Sequence, residues 1–107
     1  MKILITGGKS IQALKLVKAY PNDHVILADY GEMPSFPSQT YRFISLGDLN
    51  REVIAHNLLT ISLDESVDAI LPLHQFEADE IVKSGVLFEE FNIEIILPTS
   101  DQVIVSY

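Results

Sequence analysis

Apolar residues fall in two kinds of run along this chain: short unbroken blocks, and stripes spaced three or four residues apart. Residues 2–6 (KILIT) and 24–29 (HVILAD) are blocks with almost no polar interruption, the pattern of strands covered by helices on both faces of a sheet. Residues 41–45 (YRFIS), 68–71 (DAIL) and 93–97 (IEIIL) are shorter blocks of the same kind. Between them the period is helical. From Ser10, the residues Ile11, Leu14 and Val17 fall on one face with Gln12, Lys15 and Lys18 turned away, until Pro21-Asn22-Asp23 ends the helix. Gly47-Asp48 opens a second helix to about Glu65, with Ile54, Leu58 and Ile61 as core stripe and Asp48 or Asn50 as N-cap. Gln75 to about Phe91 is a third, with Ala78, Ile81, Val82 and Gly85 on one face and Gly85 permitting close approach to the sheet.

Residues 30–39 (YGEMPSFPSQ) hold two prolines, a glycine and two serines and read as a loop over the edge or top of the sheet. The order strand, helix, strand, strand, helix, strand, helix, strand predicts an α/β fold: a three-layer α/β/α Rossmann-like domain with a mainly parallel five-stranded sheet. Right-handed crossovers and a reversal after the third strand suggest the order 3-2-1-4-5. Thr99-Ser100-Asp101-Gln102 matches a capping box and predicts the start of a further helix over 99–107, carrying Val103, Ile104 and Tyr107.

Length allows one core: 107 residues make one domain, expected here over 1–98. There is no cysteine, which excludes disulfides, thiolate catalysis and Cys-ligated zinc. A formal charge of −8 with seven scattered basic residues opposes binding to nucleic acid or to anionic membranes. No apolar run reaches a membrane span and no signal-peptide pattern opens the chain, so a cytoplasmic protein is expected.

Gly7-Gly8-Lys9-Ser10 raises the question of phosphate binding. A Walker loop would need its first glycine at Ile3, inside a strand block, so that motif is absent. A dinucleotide fingerprint counted from Gly7 would put glycines at Lys9 and Gln12, and both are missing, although Asp29 stands about where a ribose-binding acid belongs. A strand–glycine turn–helix junction is still a generic anion-friendly spot, against the plainer reading of a turn needing glycine's backbone freedom.

Ligands of such sheets sit at the carboxyl ends of the strands. That edge collects Thr6 to Ser10, Asp29, residues 45–48 and the segment PLHQFE, where His74 and Glu77 enter a helix side by side. The plainer reading of the last is a solvated first helical turn with an exposed histidine, and Glu77, Glu80 and Lys83 read as a solvated face. His24, His56 and His74 lie on different elements without a metal-binding spacing, so no metal site is expected. Ser10 lacks the Gly-x-Ser-x-Gly frame, and no catalytic residue is assigned. Thr6-Gly7 and Pro98-Thr99 lack the acidic pair and lysine of a receiver domain.

Taken in order, ILITGGKSIQALKLVKAY, HVILADY, the Pro/Ser loop, a long helix, VDAILPLHQFEADEI and IEIILPTSDQV resemble the N-terminal (preATP-grasp) domain of ATP-grasp ligases. The nearest likeness is to carbamoyl-phosphate-synthase-large-chain-like proteins. The resemblance spans essentially all 107 residues, through motifs that are individually loose. It implies a substrate-side domain of a carboxylate-amine or carboxylate-thiol ligase, not catalytic in isolation. ATP and Mg would be held by central and C-terminal domains absent here, and residues 99–107 would begin the connection to them. The implied substrate-facing positions are Gly7, Gly8, Lys9, Ser10, Asp29, His74 and Glu77, the partner being the remainder of the ligase polypeptide or a second copy, and a small-molecule carboxylate a possible ligand. Two other readings stand beside it: a small dinucleotide- or nucleotide-sugar-binding domain using Gly7, Gly8 and Asp29, and a non-enzymatic interaction module docking through Val103, Ile104 and Tyr107.

Overall fold

In the computed structural model, which describes residues 1–32, 41–50 and 52–104, five strands form one sheet in the order β3-β2-β1-β4-β5, every pair parallel. The strands are β1 (Lys2–Thr6), β2 (His24–Asp29), β3 (Tyr41–Ser45), β4 (Ala69–Leu71) and β5 (Glu94–Ile95). The chain therefore builds outward from β1 in one direction and, after β3, crosses to the other side of β1. That reversal puts the topological switch point between β1 and β4. Proline-rich segment 33–39 and Tyr107 lie outside the described residues.

The sheet carries apolar side chains on both faces, which is why its strands read as unbroken blocks. One face packs Leu4, Ile26 and Ile70 against α2 (Ile54–Asp64), α3 (Gln75–Lys83) and α4 (Gly85–Glu90) through Leu58, Ile81 and Phe88. The other packs Ile3, Ile5, Val25 and Leu71 against α1 (Ile11–Val17). β5 is shorter than its apolar block, because only Glu94 and Ile95 pair with β4, and Leu97 stands 54 % exposed.

The helix faces depart from the sequence reading in three places. In α1 the buried residues are Ala13, Leu16 and Val17, with Tyr20 half-buried beyond, whereas Ile11 is 69 % exposed. Steps of three alone walk around a helix of 3.6 residues per turn, while 13, 16, 17 and 20 hold one face. In α2 the start is later than expected: Val53 is the N-cap without a side-chain bond, and Asn50 Oδ1 accepts instead from Glu52 N–H at 3.0 Å in a turn before the helix. The buried residues there are Ile54, Leu58, Leu59 and Ser62.

The third helix breaks in two at Ser84, whose backbone (φ −105, ψ 20) leaves the helical region. This redirects α4 so that Phe88 is fully buried, and leaves Val82 outside at 55 % exposure. Gly85 makes no close approach to the sheet, since a Cβ there would meet only Ile95 Cδ1, at 4.0 Å. With room available and φ outside the left-handed region, Gly85→Ala is expected to stabilise the domain by about 0.5–1 kcal/mol through loss of unfolded-state freedom. Urea denaturation checks it as a higher midpoint at unchanged slope.

The expected helix over 99–107 is not present in its described part. Residues 100–102 form one turn, in which Thr99 N–H donates to Gln102 Oε1 at 3.0 Å, the reciprocal bond of a capping box. The chain then extends, and Ile104 makes a parallel bridge with His74. No helix among the described residues is long and apolar enough to cross a membrane.

Candidate functional site

Among the described residues, five polar side chains are buried: Thr6, Asp29, Ser62, His74 and Glu77. Four of them stand at the C-terminal edge of the sheet around the switch point. Thr6 ends β1, Asp29 ends β2, and His74 and Glu77 lie at the N-cap and in the first turn of α3, just past β4. A strand that is apolar along its length delivers a polar group only where it ends, so three adjacent parallel strands collect such groups at one edge.

The Gly7–Ser10 turn holds this edge together from below. Gly7 has φ +65, in the left-handed region that favours glycine. Gly8 lies against β2: its N–H donates to Ala28 O at 2.9 Å, and a Cβ there would come within 2.8 Å of Ala28 N. Lys9 N–H donates to Asp29 Oδ2 at 3.3 Å, and Lys9 Nζ to the Tyr30 carbonyl at 2.7 Å. Ser10 N–H donates to Gly7 O, and the Ser10 hydroxyl caps α1 by accepting from Ala13 N–H at 3.1 Å while donating to Gly7 O at 2.6 Å. The N–H groups of Gly8, Lys9 and Ser10 thus all meet acceptors of the chain itself, one of them the Asp29 carboxylate.

Asp29 also accepts from Tyr30 N–H at 2.9 Å and faces His74 Nε2 at 3.2 Å. An ionised carboxylate only accepts, so Nε2 carries the hydrogen in this pair. Burial by itself would push the Asp29 carboxyl up; the hydrogen bonds from His74, Tyr30 N–H and Lys9 N–H outweigh it and hold the group below its ordinary 3.8. Glu77, fully buried, goes the other way. Burial is the largest influence and pushes its carboxyl above the usual 4.5, opposed by the Thr6 and Tyr30 hydroxyls and by His74, and reinforced by the negative charge of Asp29. The Tyr30 hydroxyl donates to Glu77 Oε2 at 2.7 Å, while Oε1 meets no donor among the described residues. The His74 ring stacks on Phe76 at 5.2 Å between centroids, and Tyr30 lies 6.3 Å from both rings.

His74 and Glu77 are therefore not a solvated first turn. Glu80 and Lys83 do form the expected exposed pair, at 3.2 Å, but Glu77 is turned inward with Ile81, four residues on along the same side. Of the seven sequence-derived positions, the structure brings together Asp29, His74 and Glu77, with Lys9 supporting Asp29. Gly7, Gly8 and Ser10 shape and cap the turn. The sequence reading places Thr6 at this edge without making it a site residue, and puts Tyr30 first in the loop after β2; the signal each carries is a polar group at, or just past, the end of an apolar block. Among the described residues no group of three or more His, Asp or Glu side chains is arranged to hold a metal.

Opposed shifts in one cluster set the pH dependence. The stability contributed by Asp29 is complete above 3.8 and is lost as pH falls through its lowered folded value. Glu77 binds its proton more tightly folded than unfolded, so its cost sets in as pH rises above 4.5. Tyr30→Phe removes the donor to Glu77 and is expected to destabilise the domain by about 2 kcal/mol at pH 8 and by less at pH 4.5, below the raised Glu77 value, where the protonated carboxyl predominates. Denaturant midpoints at the two pH values check the difference.

The fold and this edge define the class: an all-parallel α/β domain of Rossmann-like strand order with a buried carboxylate–imidazole–carboxylate cluster at its switch point. No protein-family model matches the sequence, and no curated protein matches it.

Proposed function

We propose that the chain is the substrate-side, Rossmann-like domain of an ATP-grasp-type ligase, of the carboxylate-amine or carboxylate-thiol kind and carbamoyl-phosphate-synthase-like. It works with an ATP- and Mg-binding core on the remainder of the polypeptide and is inert alone. The observation that carries this reading is the occupancy of the glycine turn. Its Gly8, Lys9 and Ser10 N–H groups are committed within the chain, and the acid that could hold a ribose is instead buried against His74. A nucleotide seat on this domain is thereby disfavoured, whereas the edge retains a polar cluster suited to lining a substrate cleft. The ordered set of motifs running from ILITGG to ILPTSDQV supports the same assignment.

Calorimetric titration of Mg-ATP and of NADH into the chain tests it. Neither is expected to give heat of binding at concentrations where typical nucleotide sites saturate. Mg-ATP binding would refute the ligase-domain reading, and NADH binding abolished by Asp29→Ala would establish the dinucleotide alternative. The interaction-module reading is weakened at one contact, because Ile104 is turned onto Gly7 and His74 rather than outward.

A further inference from the structure

The switch-point crevice is filled by the chain's own Ile104. Its N–H donates to Leu73 O at 2.7 Å, and Gln75 N–H donates to its carbonyl at 2.8 Å, so residue 104 is paired as in a parallel ladder just beyond the end of β4. Its side chain occupies the hollow that exists because residue 7 has no Cβ: a Cβ on Gly7 would lie 2.9 Å from Ile104 Cδ1 and 3.6 Å from His74 Nε2. Ile104 thereby covers the crevice beside the Asp29–His74 pair.

The segment leading to Ile104 is weakly tied to the domain. Thr99, Ser100 and Asp101 are exposed. The turn satisfies its own groups, with Gln102 N–H and Val103 N–H both donating to Thr99 O and Thr99 N–H to Gln102 Oε1. A groove of about 360 Å³ separates it from α3, lined by Ala78, Val82 and Val103 among others. A second, of about 350 Å³, separates it from α1 beside Lys15 and Gln102. Among the described residues, two backbone hydrogen bonds and the Ile104 side chain hold the segment in the crevice.

We infer that this crevice is a binding site for an aliphatic acylamino unit, an N–H and a C=O flanking one branched apolar side chain, and that Ile104 is its detachable internal occupant. Displacing residue 104 frees Leu73 O as acceptor and Gln75 N–H as donor in ladder register, and empties the hollow over Gly7. A group that pairs by strand addition and fills that hollow satisfies all three. Entry of such a unit sets its side chain against His74, in the place that Ile104 vacates. The inference stands on the crevice geometry alone, so Mg-ATP binding would sink the ligase reading and leave it untouched.

The test is titration of N-acetyl-L-isoleucinamide into the ¹⁵N-labelled chain and its Ile104→Gly variant, followed by amide spectra. Shifts are expected at Gly7, Gln75 and residues 99–104 and not in α2, with N-acetylglycinamide producing none. The variant is expected to bind at least about 10-fold more tightly, because residue 104 then competes with its two backbone hydrogen bonds alone and no longer with a side chain in the hollow. A blocked tripeptide, acetyl-Val-Ile-Val-amide, binding more tightly than the single residue identifies an extended chain as the source of the unit; equal affinity identifies a small molecule. In the wild-type chain the Ile104 and Gln75 amides are expected to exchange with solvent at least about 100-fold faster than those of Leu4 and Ile26, reporting opening without global unfolding. The inference is overturned if neither protein shows shifts up to the solubility limit of the probe, if both bind equally, or if all four amides exchange at one common rate. Should Ile104→Gly fail to fold, the wild-type exchange rates and titration still decide.

Discussion

Alanine at position 8 is expected to cost the domain about 3 kcal/mol, lowering the urea midpoint by about 1 M or more. The reason lies in what the added methyl would strike. It would come within 2.8 Å of Ala28 N and 2.9 Å of both Leu27 C and Leu27 Cβ, atoms of a strand hydrogen-bonded on both sides in the middle of the sheet. None of these can swing away as the end of a long side chain can. The same shift would break Gly8 N–H to Ala28 O and lift Lys9 N–H from Asp29, so the damage reaches the polar cluster. Gly7→Ala is the instructive comparison. Its closest clash is with Ile104 Cδ1, which can move, leaving mainly the left-handed backbone to be maintained at about 1–2 kcal/mol. Equal midpoints for wild type and Gly8→Ala would contradict the packing of this turn onto β2.

His74→Ala is expected to be nearly as costly, about 3 kcal/mol at neutral pH, because it leaves the buried Asp29 carboxylate without its imidazole partner. The loss depends on pH in a definite direction. Above 3.8 the wild type holds the full stabilisation of ionised Asp29, and the variant does not. As pH falls and Asp29 takes up its proton in the wild type too, the gap closes toward the pH-independent remainder from lost stacking on Phe76. Urea unfolding at pH 7 and pH 3 measures both. A gap of the same size at the two values would mean that His74 acts by packing alone.

The inner strands β1, β2 and β4 were legible because both of their faces are buried, so burial translates into an unbroken apolar block with no register to choose; β1, β2 and the more exposed edge strand β3 begin and end where their blocks do. Helix faces were harder to read. Ile11-Leu14-Val17 and Ala13-Leu16-Val17 are both plausible stripes in one short segment, and only the docking of the Gly7–Ser10 turn selects the second. The split at Ser84 likewise depends on Phe88 reaching the core, a tertiary gain that local periodicity does not carry.

Within the site, Asp29, His74 and Glu77 could be named from their places at the ends of apolar blocks. What the sequence concealed was their burial. Glu77 with Glu80 and Lys83 has the spacing of a surface patch, and its hydroxyl partner, Tyr30, lies 47 residues away in sequence. The capping box at Thr99 was a true local signal with a different outcome. Its side-chain bond forms, yet the ladder bonds of Ile104 with Leu73 and Gln75 carry the chain away from a helix.

Titration of the side-chain carboxyl carbons of Asp29 and Glu77 by NMR tests most directly whether this edge is a buried cluster in which Asp29 is held by the chain's own donors. Asp29 is expected to titrate below 3.8 and Glu77 above 4.5, driven apart by the same crevice, with neither moved by added inorganic phosphate. Two carboxyls that titrate together at ordinary values, or an Asp29 signal that shifts as phosphate takes its place on the glycine turn, would contradict the account.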